Sequence, residues 1–279
     1  MTSTPLSHRD STPPVAPPVA LTIAGSDSGG GAGVQADLRT FSFHQVHGTS
    51  ALTCVTAQNT LGVTRVDALP PEAVIAQLEA VTSDIGVQAA KTGMLLNQPI
   101  IQAVAAYLQA QPIDQLVVDP VMVSRTGATL IDEAAIAALC TQLLPLADVL
   151  TPNRYEAQML ADMEITTLKD MKIAAQKIQG LGPSAVLVKG GGFTGDLRGV
   201  DVWFDGTQLK VLQTEPVETD NTHGTGCTLS SAIAANLAKG IATLPAVEAA
   251  KHYVTQALHH SLSIGKGQGP VGHFYPLLA

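Results

Sequence analysis

The segment Gly-Thr-Gly-Cys at residues 224–227 leads directly into an apolar stretch, Leu-Ser-Ser-Ala-Ile-Ala-Ala-Asn-Leu-Ala, and offers the clearest chemistry in this sequence. The first amides of a helix have no partners within it, and the helix dipole adds partial positive charge, so such a turn can bind a phosphate or a developing oxyanion. The same environment lowers the pKa of a cysteine and favours a reactive thiolate at Cys227. A buried structural cysteine is the alternative, and it is our interpretation of Cys54 and Cys140, which lie in apolar contexts.

Charged residues follow three other apolar runs. Asp119 lies in Val-Val-Asp-Pro-Val-Met, and Glu156 lies in Thr-Pro-Asn-Arg-Tyr-Glu-Ala. These two acids could jointly hold Mg²⁺, which keeps several of its waters and needs few carboxylates. Either acid could instead be a helix cap or a salt-bridge partner. Lys189 stands beside three glycines and is suited to a phosphate oxygen as a point charge.

The segment Thr-Ala-Gln-Asn-Thr at 56–60 places Gln58 and Asn59 immediately after a predicted buried strand. An amide side chain carries both a donor and an acceptor, so it can pair with a ring nitrogen and an exocyclic amine together. An ordinary loop amide is an equally good interpretation of this segment alone.

The glycine cluster at 25–37 follows the first predicted strand and opens a helix. Its Gly31-Ala32-Gly33-Val34-Gln35-Ala36 fits the loose dinucleotide pattern, but no Asp or Glu occurs between Asp37 and Asp67 to bind a ribose. We therefore set a dinucleotide site aside. The cluster predicts a loop that lets a small ligand approach the backbone, with Asp37 pointing into the pocket; a plain strand-to-helix turn is the alternative.

Alternating strands and helices must position these residues. Short apolar runs of the kind buried in parallel sheets occur at 19–25, 49–55, 116–123, 147–153 and 185–191. Helical spacing occurs at 71–85, 98–110, 131–144, 168–182, 225–240 and 244–262. This rhythm predicts a doubly wound α/β domain with helices on both faces of a mostly parallel sheet, and 199–217 predicts an antiparallel hairpin at one edge. Ligands gather at the carboxyl ends of such strands, where Asp27, Asp119, Asn153, Lys189 and the 224–227 loop are expected to converge.

Composition narrows the class of protein. With 46% hydrophobic and 14% charged residues among 279, the chain can bury a large core, and its net charge of -8 argues against nucleic acid or an anionic membrane as partner. Three widely spaced cysteines show neither a disulfide framework nor a zinc pattern, which predicts a reduced, cytoplasmic protein. Residues 1–18 are interpreted as a disordered tail rich in Pro, Ser and Thr, and 19–279 as a single domain.

From about Ala20 to Phe274 the chain resembles the hydroxymethylpyrimidine/phosphomethylpyrimidine kinases of thiamine synthesis, in the ribokinase-like superfamily. The matching segments are LTIAGSDSGGGAGVQADLRTF, TAQNT, KTGML, VVDPVM, TPNRYEA, VLVKGGG, NTHGTGCTLSSAIAANLA and GQGPVGHF. The resemblance implies a three-layer α/β/α fold, a homodimer and the use of magnesium ATP. It also implies phosphorylation of the hydroxymethyl oxygen of 4-amino-5-hydroxymethyl-2-methylpyrimidine and then of the resulting monophosphate.

The resemblance also assigns roles to residues. It implies a pyrimidine site of Gly25, Asp37, Gln58 and Met94, a magnesium side of Asp119 and Glu156, nucleotide phosphate contacts from Lys189, Asn221 and Thr222, and an anion hole of Gly224, Thr225, Gly226 and Cys227. Cys227 occupies the position where the wider superfamily commonly has an aspartate that takes the alcohol's proton. Two alternatives stay open: a pyridoxal kinase of the same superfamily, and a non-catalytic binding protein for a vitamin precursor.

Overall fold

A central mixed sheet organises the chain. The computed structural model describes residues 16–122, 131–193 and 195–278, so most of the predicted tail, and Val123 at the end of one predicted strand, lie outside the described residues. Within them one nine-stranded sheet has the order β3-β2-β1-β4-β5-β6-β7-β8-β9. Its strands are β1 Val19–Asp27, β2 His47–Asn59, β3 Gly62–Ala68, β4 Ala89–Thr92, β5 Leu116–Val118, β6 Val149–Leu150, β7 Ala185–Val188, β8 Val200–Phe204 and β9 Leu209–Gln213. Strands β2, β1, β4, β5, β6 and β7 run parallel, whereas β3 and the β8–β9 hairpin pair antiparallel at the two edges.

Helices cover both faces of the sheet. They are α1 Gly33–Phe43, α2 Pro71–Thr82, α3 Gln98–Ala110, α4 Glu133–Ala138, α5 Arg154–Ala161, α6 Leu168–Gln179, α7 Thr225–Ala238 and α8 Thr243–His259. One core cluster joins α2 to α6 with alternate strand residues such as Ile23, Val118 and Val188. The other joins α1, α7 and α8 with the intervening residues, such as Val117 and Leu187. Because strand side chains alternate between faces, these two cores establish the three-layer α/β/α arrangement.

The predicted rhythm of strands and helices is largely confirmed, with specific corrections. The α3 bounds match the prediction, and the edge hairpin is β8–β9. Strands β3 and β4 and helix α5 were not predicted, and α4 ends early, giving way to a π-helical turn at Leu139–Leu143. Gln58 and Asn59 lie inside β2, not after it. Among the described residues, no helix is long and apolar enough to cross a bilayer.

Candidate active site

A buried lysine–aspartate pair lies at the carboxyl ends of the central strands. Asp119 directly follows β5 and Lys189 directly follows β7, and Lys189 Nζ is 2.9 Å from Asp119 Oδ1. A Cβ added to Gly226 would lie 3.5 Å from that Nζ and 3.7 Å from Asp119 Oδ2. The pair therefore packs against the first turn of α7, as the convergence of strand ends predicts.

The turn before α7 has a backbone that requires glycine. Gly224 has φ 81°, and a Cβ there would lie 1.9 Å from the carbonyl oxygen of Gly31. The 224–227 turn and the glycine loop after β1 therefore touch through their backbones. No side chain caps α7, and the Thr225 N–H donates to the Thr222 carbonyl at 3.3 Å. The N–H groups of Gly226 and Cys227 are therefore the donors expected of an anion site.

The two polar residues before this turn differ in their surroundings. The Thr222 hydroxyl is buried and has no hydrogen-bond partner among the described residues. Asn221 is engaged, because its Oδ1 accepts a 2.9 Å hydrogen bond from the backbone N–H of Gly269. Thr222 is thus the one with a free hydroxyl for a ligand, while Asn221 ties the turn to the C-terminal segment.

The surroundings of Cys227 favour the neutral thiol. It is partly exposed and lies in the first turn of α7, yet its pKa is raised to about 11. Burial is the largest cause, the Lys91 charge and the Gly33 N–H oppose it, and the Asp37 and Asp119 carboxylates add to it. The prediction of a lowered pKa and a thiolate is therefore wrong, because desolvation and two nearby carboxylates outweigh the helix terminus.

Asp37 is enclosed by protein atoms and has no exposed surface. Its side chain is fully buried and accepts hydrogen bonds from Lys91 Nζ at 2.9 and 2.8 Å. Thr22 and Ser231 hydroxyls each donate to it at 2.6 Å. With these contacts its acceptor capacity is used in the unliganded protein. A role for Asp37 in the pyrimidine site stays a prediction. Asp37 joins α1, β1, β4 and α7 around the buried Lys91 charge.

Glu156 lies in the first turn of helix α5, which the sequence analysis did not predict. It is the third residue of α5 and forms a capping box with Asn153, whose backbone N–H lies 2.7 Å from Glu156 Oε2. Burial raises its pKa to about 8; Lys189 opposes this rise and Asp119 adds to it. One of the two alternatives left open, a helix cap, is thus confirmed, although Glu156 remains close to the Asp119–Lys189 pair.

The predicted pyrimidine residues Gly25 and Met94 face each other across β1 and β4. A Cβ on Gly25 would lie 3.0 Å from Met94 Cε and 2.6 Å from Cys54 Sγ. The Thr53 hydroxyl donates to the Met94 carbonyl at 2.7 Å, which fixes that backbone. Gly33 is packed equally closely, since its Cβ would lie 2.4 Å from the Gly25 carbonyl oxygen.

Gln58 lies beside Asp27, which was expected at the converging strand ends, and beside His223, to which the sequence analysis gave no role. His223 Nε2 is 2.8 Å from Asp27 Oδ2 and 3.4 Å from Gln58 Nε2. Asp27 ends β1 and also accepts from the backbone N–H groups of Gly29, Gly31 and Ala32. Burial opposes ionisation of Asp27, but the hydrogen bonds from His223 and the loop outweigh it and lower its pKa. The available signal was the position of His223 within Asn-Thr-His-Gly-Thr-Gly-Cys itself.

A buried lysine–aspartate pair against a glycine turn at a helix start, at the carboxyl edge of a three-layer α/β/α sheet, defines an enzyme that transfers phosphoryl groups to small molecules. A family model described as phosphomethylpyrimidine kinase matches residues 27–272. The chain belongs to this family, and it is a kinase with a ribokinase-like fold.

Individual relatives agree with the family. A hydroxymethylpyrimidine/phosphomethylpyrimidine kinase of Synechococcus elongatus is 66% identical over 263 residues, which are 94% of this chain and 100% of that protein. The crystal structure of an ADP complex of Bacillus subtilis pyridoxal kinase has a TM-score of 0.87 and 40% identity, over 95% of this chain and 100% of that one. The phosphomethylpyrimidine kinase of Clostridium difficile has a TM-score of 0.78 and 42% identity, over 86% and 99%.

Proposed function

We propose that this chain phosphorylates the hydroxymethyl oxygen of 4-amino-5-hydroxymethyl-2-methylpyrimidine and then the monophosphate, giving the pyrophosphate for thiamine biosynthesis. The observation that carries the proposal is the Asp119–Lys189 pair packed against the 224–227 turn, with the Gly25–Met94 contact at the neighbouring strand ends. This arrangement places a phosphate-binding region and the proposed pyrimidine residues at neighbouring strand ends.

ATP is the proposed donor, in line with the ADP bound to the Bacillus subtilis pyridoxal kinase. Lys189, the free hydroxyl of Thr222 and the backbone N–H groups of Gly226 and Cys227 would hold its phosphates. Asn221 would hold the turn in place through Gly269.

Mg²⁺ is the proposed metal, and Asp119 and Glu156 are the residues that would hold it. Asp119 is near enough to raise the pKa of Glu156, so added positive charge is favourable there. Among the described residues no group of three or more His, Cys, Asp or Glu side chains could hold a metal ion. A pair of carboxylates still fits Mg²⁺, which keeps several waters, and the bound ion would neutralise charge on the transferring phosphoryl group.

Cys227 would act mainly as a small neutral residue beside the reacting oxygens. A thiol with a pKa of about 11 holds its proton at neutral pH, and phosphoryl transfer depends chiefly on positioning and charge neutralisation. In the second transfer the nucleophile is already a phosphate oxygen and needs little deprotonation. A neutral thiol repels that phosphate less than a carboxylate in the same position.

The test is mass spectrometry of the products formed from magnesium ATP and the hydroxymethylpyrimidine, with pyridoxal in a parallel reaction. We expect the monophosphate first and the pyrophosphate after it. The matched control is Lys189→Met, which removes the buried charge and is expected to lower the rate about a hundredfold or more. If neither substrate gives a product, or if Lys189→Met is as active as the wild type, the proposed function is wrong.

A pyridoxal kinase is the second candidate, favoured by the likeness to the Bacillus subtilis enzyme. Both substrates are small heteroaromatic rings with a hydroxymethyl group, so few side chains decide between them. Gln58, which can pair with a ring nitrogen and an exocyclic amine, favours the aminopyrimidine. Pyridoxal phosphate as the only product would move the assignment to this second activity.

We further propose that the chain is a cytoplasmic homodimer. Strand β3 forms one edge of the sheet with all seven residues exposed, and Val63 and Val66 are 51% and 42% exposed. An exposed edge strand with unpaired backbone groups and two exposed valines favours pairing with another chain. Light scattering should give twice the chain mass of 28.8 kDa, falling to a single mass in Val63→Lys/Val66→Lys. The three free cysteines fit a reducing compartment, which cell fractionation tests.

A further inference from the structure

The side-chain amide of Gln58 is placed between two polar groups that determine its orientation. On one side its Nε2 lies 3.4 Å from His223 Nε2. On the other side its Oε1 lies 3.2 Å from the Thr56 hydroxyl. Its backbone is held separately, because Ser28 Oγ both donates to the Gln58 carbonyl and accepts from the Gln58 N–H, each at 2.8 Å. The end of β2 is therefore fixed, and the remaining freedom is rotation of the amide itself.

The His223 side requires an acceptor. Asp27 is a carboxylate with a lowered pKa and can only accept hydrogen bonds, and His223 Nε2 lies 2.8 Å from its Oδ2. His223 Nε2 must therefore carry the proton in that contact. A protonated ring nitrogen cannot accept from an amide N–H, so the nitrogen of Gln58 is unsuited to this side.

The Thr56 side requires a donor. A threonine hydroxyl has one proton, and the carbonyl oxygen of Ser26 lies nearer to Thr56 Oγ1, at 2.8 Å, than Gln58 Oε1 does, at 3.2 Å. When the proton goes to Ser26, only lone pairs of Thr56 face Gln58. The oxygen of Gln58 is unsuited to this side, so both sides independently favour an amide with its oxygen toward His223 and its nitrogen toward Thr56.

We propose that the Gln58 amide is oriented with its oxygen facing His223 and its nitrogen facing Thr56. The single Nε2 proton of His223, which is donated to Asp27 Oδ2, is then shared with the amide oxygen of Gln58 as the weaker of two acceptors. On the other side the amide nitrogen donates to the Thr56 hydroxyl, which in turn donates to the Ser26 carbonyl. The oxygen and nitrogen of an amide have nearly the same shape, so no backbone movement is needed. His223 and Asp27 are thereby positioning residues for Gln58.

This orientation determines how an aminopyrimidine binds, an inference that rests on the proposed function. The amine at C4 would donate to the amide oxygen on the His223 side, and ring nitrogen N3 would accept from the amide nitrogen on the Thr56 side. The hydroxymethyl group is on C5, next to C4 and away from N3, so it lies on the His223 side. His223 is followed directly by Gly224-Thr225-Gly226-Cys227. This amide orientation therefore directs the hydroxymethyl oxygen toward the anion-binding turn. The opposite orientation would direct it away.

The orientation can be measured directly in the free protein by nuclear Overhauser effects from the Gln58 side-chain amide protons, assigned with Gln58→Asn. Contacts to the Thr56 methyl group are expected. Dominant contacts to the His223 ring protons would overturn the inference. Because no substrate is present, this result does not depend on whether the proposed function is right.

The consequence is tested by calorimetric binding of two ligands, the 4-amino-pyrimidine and its 4-oxo analogue, in which N3 carries the proton and the donor and acceptor are exchanged. The wild type should prefer the amino compound about a hundredfold, since two hydrogen bonds are mismatched in the analogue. His223→Leu frees the amide to rotate and should lower this preference about tenfold.

Two further variants keep the test decisive. Thr56→Val removes the other anchor and should lower the preference similarly, which covers the case in which His223→Leu folds poorly. His252→Leu, the same change at an exposed histidine of α8, should keep the wild-type preference. Full preference in both His223→Leu and Thr56→Val would overturn the inference alone. A wild type that binds neither pyrimidine would overturn the proposed function, and the amide orientation would still be decided by the spectra.

Discussion

At the scale of single residues, burial, nearby charges and hydrogen bonds act in opposite directions on the pKa values of the site residues. Cys227 lies at a helix start, which favours a thiolate, yet burial and the nearby Asp37 and Asp119 raise its pKa to about 11. Asp27 shows the reverse balance, because several N–H donors outweigh its burial and lower its pKa. Position on a helix or loop therefore does not determine ionisation; the number of donors and charges in contact does.

We expect Cys227 to be unreactive toward iodoacetamide at pH 7.5. A shift of about two units above the usual value of 9.0 leaves about a hundredfold less thiolate than an ordinary cysteine has. The alkylation rate should rise about tenfold for each pH unit between 7.5 and 9.5. Peptide mass spectrometry follows this residue, with urea-unfolded protein as the control. A rate that levels off below pH 8.5 would show that the thiolate is stabilised after all.

Cys227→Asp should distinguish the two phosphoryl transfers. A fixed negative charge repels the monophosphate substrate but not the neutral alcohol, so the second transfer should slow about tenfold more than the first. Separate measurement of monophosphate and pyrophosphate formation gives both rates, and Cys227→Ser is the neutral control. Equal rates for both steps in Cys227→Asp would contradict the repulsion argument.

At the scale of elements, the turn after β7 is held by a third buried ion pair, that of Lys251 and Asp201. Asp201 of β8 accepts from the Gly190 N–H at 2.8 Å and pairs with Lys251 of α8 at 2.7 Å. A Cβ on Gly190 would lie 1.7 Å from the Val200 carbonyl oxygen, so the turn is also tightly packed. Lys189 precedes this turn directly, which links its placement to α8.

We therefore expect Lys251→Met to destabilise the fold and weaken ATP binding together. An unpaired Asp201 carboxylate would lower the free energy of unfolding by about 3 kcal/mol. The KM for ATP should rise more than the KM for the pyrimidine, because Lys189 is on the phosphate side. Urea unfolding and steady-state kinetics measure both effects.

The double variant Lys251→Met/Asp201→Asn serves as the control for charge. It leaves no unpaired ion, so it should recover part of the lost stability. If it is as unstable as the sum of both single changes, the pair does not act as a unit.

The elements missed by sequence analysis share a physical cause. Strand β4 is Ala-Ala-Lys-Thr, and a lysine in so short a run argues against a buried strand unless its charge is paired. That partner, Asp37, is 54 positions away, so the pair could not be inferred from spacing. Strand β3 is exposed along its whole length and lacks an apolar pattern, and α5 was hidden by its short length. Long periodic helices and apolar runs were predictable because their signal is local.

The candidate site was likewise predictable only in the part that follows from the positions of strand ends. The convergence of Asp119, Lys189 and the 224–227 turn follows from the rule for strand ends, and it is confirmed. The burial of Asp37 and the His223–Asp27 contact depend on how α1 and α7 pack against β1, which spacing does not encode.

At the scale of the whole molecule, the site follows from sheet order. From β1 the chain first adds β2 on one side and later β4 on the other, so the order reverses between β1 and β4. A crevice opens at such a reversal, because the helices that follow leave in opposite directions. Gly25 and Met94 lie at this point, which explains why two residues far apart in sequence face each other.

The C-terminal segment contacts α7 through His273, and the titration of this histidine makes the stability of the fold depend on pH. His273 is 3% exposed, its Nε2 lies 2.9 Å from the Thr228 hydroxyl of α7, and its carbonyl accepts from the Tyr253 hydroxyl. Burial, followed by the Arg39 charge, lowers its pKa from 6.5 to about 4. The folded state therefore favours neutral His273, while the unfolded chain takes up a proton below pH 6.5.

This contribution to stability is complete above pH 6.5 and is lost as the pH falls toward 4. Between pH 7.5 and 5.0 we expect it to remove about 2 kcal/mol from the free energy of unfolding. Glu156 also titrates over this interval and changes the stability in the opposite direction, so the change between the two pH values is compared between variants. Urea titrations should give the same change in the wild type and in His252→Gln, a matched change at an exposed histidine. His273→Gln should lose about 2 kcal/mol less over the same interval, because its amide can still contact Thr228 but does not titrate. Equal losses in all three proteins would mean that His273 is protonated as readily in the fold as in the unfolded chain.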